Sequence, residues 1–374
     1  MLFNKIQQKI LKEGPITFFE FMKMCLYDPE FGYYTNTYFP IGASGDYITS
    51  PHTGHIFGAL LSRQLLEFYQ ILKTDTFFIV EMGAGSGYLA LDILSELKKE
   101  YLFKKITYII IEPYPKNIFI QKKNLRDQFD SIRWINSINE LDLGVYCFIS
   151  NELLDAFPVH VVQKESGVFK EIYIDFDHNR GFIECLGKLS SQDLKLYVKL
   201  LPNNLADHYR TEINLDIKTW IKDISKKMLK GFLMTIDYGY TSKEYFNPTR
   251  NRGTLLAYKD QKVSEELLIR PGEQDLTAHI NFSDLSRWGM EMGFYTIGYT
   301  PQWAFLGGLD FEEVVYEKIG TKIKPFSPQL AEIKTLIMPQ GMGMSHKVMV
   351  QAKGLDITQT SLKGFRLKNL INRL

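Results

Sequence analysis

Residues 77 to 87, Phe77-Phe-Ile-Val-Glu-Met-Gly-Ala-Gly-Ser-Gly87, decide the fold of this 374-residue chain. Phe77 to Val80 make the short continuous apolar run expected of a strand covered on both faces. Beyond the glycines, Ala90, Ile93, Leu94, Leu97 and Tyr101 recur at i, i+3, i+4, i+7 and i+11, the stripe of a helix packed on a sheet. The glycines between suit a chain reversal at positive φ and let a ligand approach the backbone at the helix N-terminus. The alternative is a purely structural turn.

The spacing is G-x-G-x-G with an acid, Glu81, two residues before Gly83, and not the dehydrogenase's G-x-G-x-x-G. Glu112 ends the next apolar strand, Tyr108-Ile-Ile-Ile111. An acid at that strand end lies across the sheet crevice from the loop and can accept both hydroxyls of a ribose. The pair points to S-adenosylmethionine, with Glu81 near the amino-acid end and Glu112 on the ribose.

Apolar residues at 45% and charged ones at 23% are ordinary globular values, and a net charge of +1 asks for neither nucleic acid nor an anionic membrane. Cys25, Cys147 and Cys185 are scattered without metal-ligand or disulfide spacing, which favours a reducing compartment. No run of about 18 apolar residues occurs, so a soluble, cytoplasmic protein is expected, or a matrix one if the source is eukaryotic.

Thr17-x-x-Glu20 reads as a capping box before an apolar helix. A small-residue loop, Gly42 to Pro51, reads as a lid over the ligand. His52 and His55 lack a third ligand nearby and read as surface or capping residues. The strand Val145 to Ser150 runs into Asn151-Glu152-Leu-Leu-Asp155, polar residues at the strand tip beside the first, where the reacting group sits. Capping of the next helix is the competing role for Glu152 and Asp155. Residues 159 to 187 alternate like a β-meander. Residues 240 to 281 read as a long irregular loop carrying Asp275 and His279. Leu367, Leu370, Ile371 and Leu374 read as one face of a C-terminal helix.

Taken together, Tyr27-Asp-Pro-Glu-Phe-Gly-Tyr-Tyr34, Gly45-Asp-Tyr-Ile-Thr-Ser-Pro51, Glu81 to Gly87, Ser150-Asn-Glu-Leu-Leu-Asp-Ala156, Ile236-Asp-Tyr-Gly-Tyr240 and Gly272-Glu-Gln-Asp-Leu-Thr-Ala-His279 resemble the MidA-like family of methyltransferases. The resemblance implies a class I methyltransferase-type α/β fold: a doubly wound, mostly parallel seven-stranded sheet with an N-terminal helical region and an inserted β-meander and helical subdomain. The corresponding blocks are 1–75, 76–158, 159–213, 214–353 (with a helical insertion at 302–340) and a tail at 354–374.

The same resemblance implies S-adenosyl-L-methionine held by Glu81, Gly83, Gly85, Gly87, Glu112 and Asn151, with Ser50 closing the site and no metal. Glu152 and Asp155 would grip a guanidinium, and His279 or Asp275 would accept a proton. His52 stands where the family commonly has glutamate. The expected reaction is methylation of an arginine in a protein substrate, without nucleic acid or membrane insertion, and with a homodimer left open. A binding or assembly factor holding the same cofactor without turnover is the rival, and a nicotinamide dehydrogenase the more distant one.

Overall fold

The computed structural model describes residues 1–35, 55–125, 131–260, 262–320, 326–356 and 360–374. They pack as two units that interleave along the chain, where the sequence reading drew consecutive blocks. One gathers the described residues of Met1–Tyr47, Leu154–Thr219 and Tyr240–Asn281; the other gathers those of Ile48–Leu153, Trp220–Gly239 and Phe282–Leu374.

The second unit is built on seven strands of an eight-stranded sheet of the expected, mostly parallel kind. In chain order its strands are β1 (Phe77–Met82), β2 (Ile106–Ile111), β3 (Ile132–Ile135), β4 (Gly144–Asn151), β5 (Met228–Tyr240), β6 (Tyr295–Pro301) and β7 (His346–Lys353). Their spatial order is β6-β7-β5-β4-β1-β2-β3. The pairs among β1 to β5 are parallel, whereas β7 runs antiparallel to both β5 and β6. Of the seven strands β7 alone therefore runs opposite to the rest. Its first residue, His346, pairs with Tyr238 near the end of β5, so it stands at the carboxyl edge of the parallel strands.

Alternate residues of the strands, among them Ile79, Tyr108, Cys147, Phe232 and Val350, share a core with the helices Ile56–Leu72 and Tyr88–Leu97. Phe68 stacks on Phe232 with ring centroids 4.1 Å apart. Burial of such side chains stabilises by about 1.5–3 kcal/mol each. The two helices approach so closely that a Cβ on Gly58 would stand 2.3 Å from the Cβ of Asp92.

The C-terminal segment corrects one expectation. It forms two 3-10 turns, Lys363–Phe365 and Ile371–Arg373, and not a helix. Edge strand β6 has backbone groups to satisfy, and the tail satisfies them. Leu370 N donates to Tyr299 O at 2.7 Å, while the Asn369 amide meets Tyr299 N at 3.2 Å and Ile297 O at 3.0 Å. Phe365 lies against β6 where Gly298 leaves room; a Cβ there would stand 2.4 Å from the ring.

The first unit contains the meander: Val168–Asp177 pairs with both His160–Glu165 and Gly181–Gly187, all antiparallel. Ser166 and Gly167, at φ 52° and 81°, make the tight hairpin turn between the first two strands. Thr17 caps the helix Phe18–Tyr27 by accepting from Glu20 N, although the Glu20 carboxylate turns to Lys9.

The stretch 240–281 is a second correction. It holds a short helix, Ser242–Tyr245, and a three-stranded antiparallel sheet of Leu256–Lys259, Lys262–Ser264 and Asp275–Thr277. Its anchor is the fully buried Glu212 carboxylate, which accepts from Thr254 N at 2.9 Å, Thr254 Oγ1 at 3.1 Å and Tyr245 Oη at 3.3 Å. One distant carboxylate can order this much backbone, and no local pattern announces it.

Candidate functional site

In the second unit the glycine loop leaves β1 as expected. Gly83, Gly85 and Gly87 all sit at positive φ, at 80°, 52° and 84°. Gly87 needs that conformation and not the space, since a Cβ there would meet Gln121 only at 3.5 Å. Gly87 also stands at the N-cap of the helix Tyr88–Leu97, with no side chain capping it. The first-turn N–H groups of that helix offer donors for an anionic group.

Glu81, the penultimate residue of β1, is 2% exposed and accepts a hydrogen bond from the Tyr108 hydroxyl at 2.7 Å. Burial pushes its carboxyl up to about 7, against the opposing effect of Tyr108. A buried acid poised there favours a cationic partner such as an α-ammonium group. Glu112 follows β2, and its oxygens accept from Tyr114 N and Gln121 Nε2, each at 3.1 Å. Burial raises this carboxyl as well, opposed by the hydrogen bonds from Tyr114, Asn117 and Gln121. Three hydrogen bonds on two oxygens leave the carboxylate one of about four acceptor sites for a further donor.

Gln121 is a residue that the sequence reading missed. Its Nε2 donates to Gly85 O at 3.0 Å and to Glu112 Oε2 at 3.1 Å, and its Oε1 accepts from Trp134 Nε1 at 3.0 Å. One amide thus ties the glycine loop to Glu112. Asn124 adds a bond to Ser86 O at 2.9 Å. Both lie on the helix Pro115–Leu125, whose polar buried face was a signal that apolar periodicity passes over.

At the carboxyl ends of β1 and β4, Ser150 stands opposite Met82, and Asn151 stands opposite Ile236 of β5. Asn151 Oδ1 and Ser150 Oγ are buried with no hydrogen-bond partner among the described residues. Such atoms beside a glycine cradle and two acids suit an amphoteric, ribose-bearing ligand. The donor set therefore fits S-adenosylmethionine.

Glu152 follows at φ 49°, a left-handed conformation that costs a non-glycine residue of order 1 kcal/mol. Its N donates to Ile236 O at 2.9 Å, which fixes the backbone. The side chain is 4% exposed, with Asn151 Nδ2 at 3.2 Å, Tyr238 Oη at 3.5 Å and His346 Nε2 at 3.6 Å. Tyr238 and His346 were also missed, since neither lies in a motif with Glu152.

Asp155, Asp275 and His279 belong to the first unit. Ala278 N donates to Asp155 O at 2.9 Å, the Tyr34 hydroxyl donates to Asp275 Oδ1 at 2.8 Å, and the His279 ring lies 5.2 Å from that of Tyr240. Tyr34 is held far above the ordinary phenol range by burial, with Asp275 and Asp155 adding to the effect. Ser50, His52 and the lid at 42–51 lie outside the described residues. His55, by contrast, meets Asp92 through Nδ1 at 2.6 Å at the start of its helix. The described residues contain no cluster of three groups able to hold a metal ion.

Residues 60–300 match a family described as S-adenosyl-L-methionine-dependent methyltransferase. The chain belongs to this family. Among similar proteins, "Protein arginine methyltransferase NDUFAF7, mitochondrial" of Danio rerio is 26% identical over 91% of this chain and 84% of its own length. The Homo sapiens protein of that name is 27% identical over 76% and 68%. A Burkholderia thailandensis structure bound to S-adenosyl-homocysteine superposes with TM-score 0.88 at 26% identity, covering 100% of this chain and 96% of that one. The family member is thus an enzyme with S-adenosylmethionine as its cofactor and the methyltransferase sheet as its frame. Among the described residues no helix is long and apolar enough to cross a membrane.

Proposed function

We propose that this enzyme methylates a guanidinium nitrogen of an arginine in a protein substrate, acting in the cytoplasm, or in the mitochondrial matrix if the source is eukaryotic. The observation that carries the reading is the buried Glu152 carboxylate, held in a left-handed backbone at the tip of β4, one residue beyond the strand beside the cofactor loop. The names of the relatives as protein arginine methyltransferases support it.

Bound S-adenosylmethionine supplies a methyl group on a positively charged sulfonium, so that an N–C bond forms as the C–S bond breaks and one proton leaves the guanidinium for solvent. The protein's task is to bring one cation to another. Glu81 offsets the α-ammonium charge, Glu112 orients the ribose, and Gln121 keeps the loop in register with Glu112. Glu152 pairs with the guanidinium, removes its repulsion from the sulfonium and turns one nitrogen toward the methyl. Asp155, Asp275 and His279 are gathered in the other unit and carry no step of this proposal.

Extract from cells lacking the protein, incubated with the enzyme and tritiated S-adenosylmethionine, then hydrolysed to amino acids, tests the reading. Radioactive methylarginine is the expected product, falling about 100-fold with Glu152→Gln. Label on another residue type, or none with the cofactor still bound, would overturn it.

A further inference from the structure

The side chain that faces Glu152 from the reversed strand is a histidine with no counterpart among the motifs. His346 is fully buried, and its Nε2 makes no hydrogen bond among the described residues. That atom points toward Glu152 Oε1 at 3.6 Å, just beyond hydrogen-bond reach. On the other side of the ring, Nδ1 lies 3.2 Å from the Ser345 hydroxyl. Tyr238, its cross-strand partner, covers the ring at 4.1 Å and directs its own hydroxyl toward Glu152 Oε2 at 3.5 Å. A buried polar atom left unbonded costs about 1–3 kcal/mol, so a fully buried histidine of this kind calls for a use.

We propose that His346 is the positioning residue of Glu152. The one proton of the Ser345 hydroxyl has two acceptors in reach, Gly341 O at 3.3 Å and Nδ1 at 3.2 Å; turned to Nδ1 it leaves the ring proton on Nε2, and Nε2–H donates to Glu152 Oε1 when the carboxylate engages its guanidinium. Contacts of catalytic groups are commonly long before the ligand arrives and tighten in the complex. Tyr238 supports the second oxygen, so the carboxylate plane is fixed from two sides. A histidine–carboxylate contact of this kind orients the acid, as neighbouring partners do for metal-bound side chains. The antiparallel insertion of β7 makes this possible, because only a reversed strand presents its first residue at the carboxyl edge of the sheet.

The proposal deepens the arginine-methylation reading, and its test is chosen so that the two fail separately. Protein labelled with 15N-histidine, with the His346 signals assigned by their loss in His346→Gln, reports which ring nitrogen carries the proton. A proton on Nε2, and a His346 resonance that moves in Glu152→Gln, are expected. A proton on Nδ1, or no response to Glu152→Gln, overturns the proposal whatever the enzyme methylates. In the extract assay His346→Leu should lose at least tenfold in methyl transfer while binding S-adenosylhomocysteine within about twofold of the unaltered enzyme. His346→Gln, whose amide can donate near the same position, should recover most of the rate. Equal loss in both variants, or full activity of His346→Leu, overturns it. Should His346→Leu fail to fold, the nitrogen spectra and the His346→Gln rate decide. Absence of methylarginine from every sample would sink the arginine reading and leave the His346–Glu152 contact to the spectra.

Discussion

Tyr108 donates its hydroxyl to Glu81 at 2.7 Å across adjacent parallel strands, inside a core where both side chains are almost wholly buried. The bond favours the ionised carboxyl, yet burial wins and lifts Glu81 from its ordinary 4.5 to about 7. A folded-state value above the unfolded one stabilises fully below about pH 4.5, and that stability is lost as pH rises through about 7. The melting temperature of the ligand-free protein should therefore fall across that window, and Glu81→Gln should flatten part of the slope. Asp92, raised to about 6 by burial against the opposing His55, accounts for a further part in the same direction.

The same carboxyl must be ionised to attract an α-ammonium group. Affinity for S-adenosylhomocysteine should rise by up to about tenfold per pH unit below about pH 7 and then level off. Calorimetric titrations at several pH values would show it, and Glu81→Gln should bind weakly with little dependence on pH.

Gln121→Leu should weaken cofactor binding by roughly 10- to 100-fold, the range seen when a side chain orienting a binding residue is lost. It strips partners from Gly85 O, Glu112 and Trp134 Nε1 at once. Calorimetry and a thermal melt would separate lost affinity from lost stability; a variant with normal affinity would show that the loop holds its shape without the amide.

Glu212→Ala should destabilise by about 2–4 kcal/mol, because buried donors on Thr254 and Leu255 lose their acceptor. Residues 250–281 should then be cleaved first in limited proteolysis. Gly253→Ala should act similarly, since its Cβ would stand 1.9 Å from Glu212 Oε1 at a φ of +81°.

Phe365→Ala should cost about 3–5 kcal/mol by leaving a cavity between Gly298 and Phe305. Chemical denaturation would measure it. A cost near zero would mean that the tail does not hold the edge strand.

How much of this was legible in sequence follows the range of the interactions. Glu81, the three glycines, Glu112, Asn151 and Glu152 announce themselves because strand, loop and acid are neighbours in the chain and local periodicity reports them. The C-terminal apolar spacing misled, because 3.6-residue periodicity says nothing of the unpaired edge of β6 that captures Leu370 and Asn369. Residues 240–281 looked irregular because their anchor, Glu212, lies 42 positions from Thr254.

By itself, then, the sequence determined the strand-loop-helix units of the sheet, the glycine cradle and an acidic strand tip, since each is a local pattern of neighbouring residues. Only the tertiary structure decided what surrounds them: Tyr108 behind Glu81, Gln121 between Gly85 and Glu112, and His346 facing Glu152. The reason is geometric. Sheet pairing brings β7 alongside β5 in reverse, and a contact made by that reversal joins residues 152 and 346, which no spacing along the chain connects.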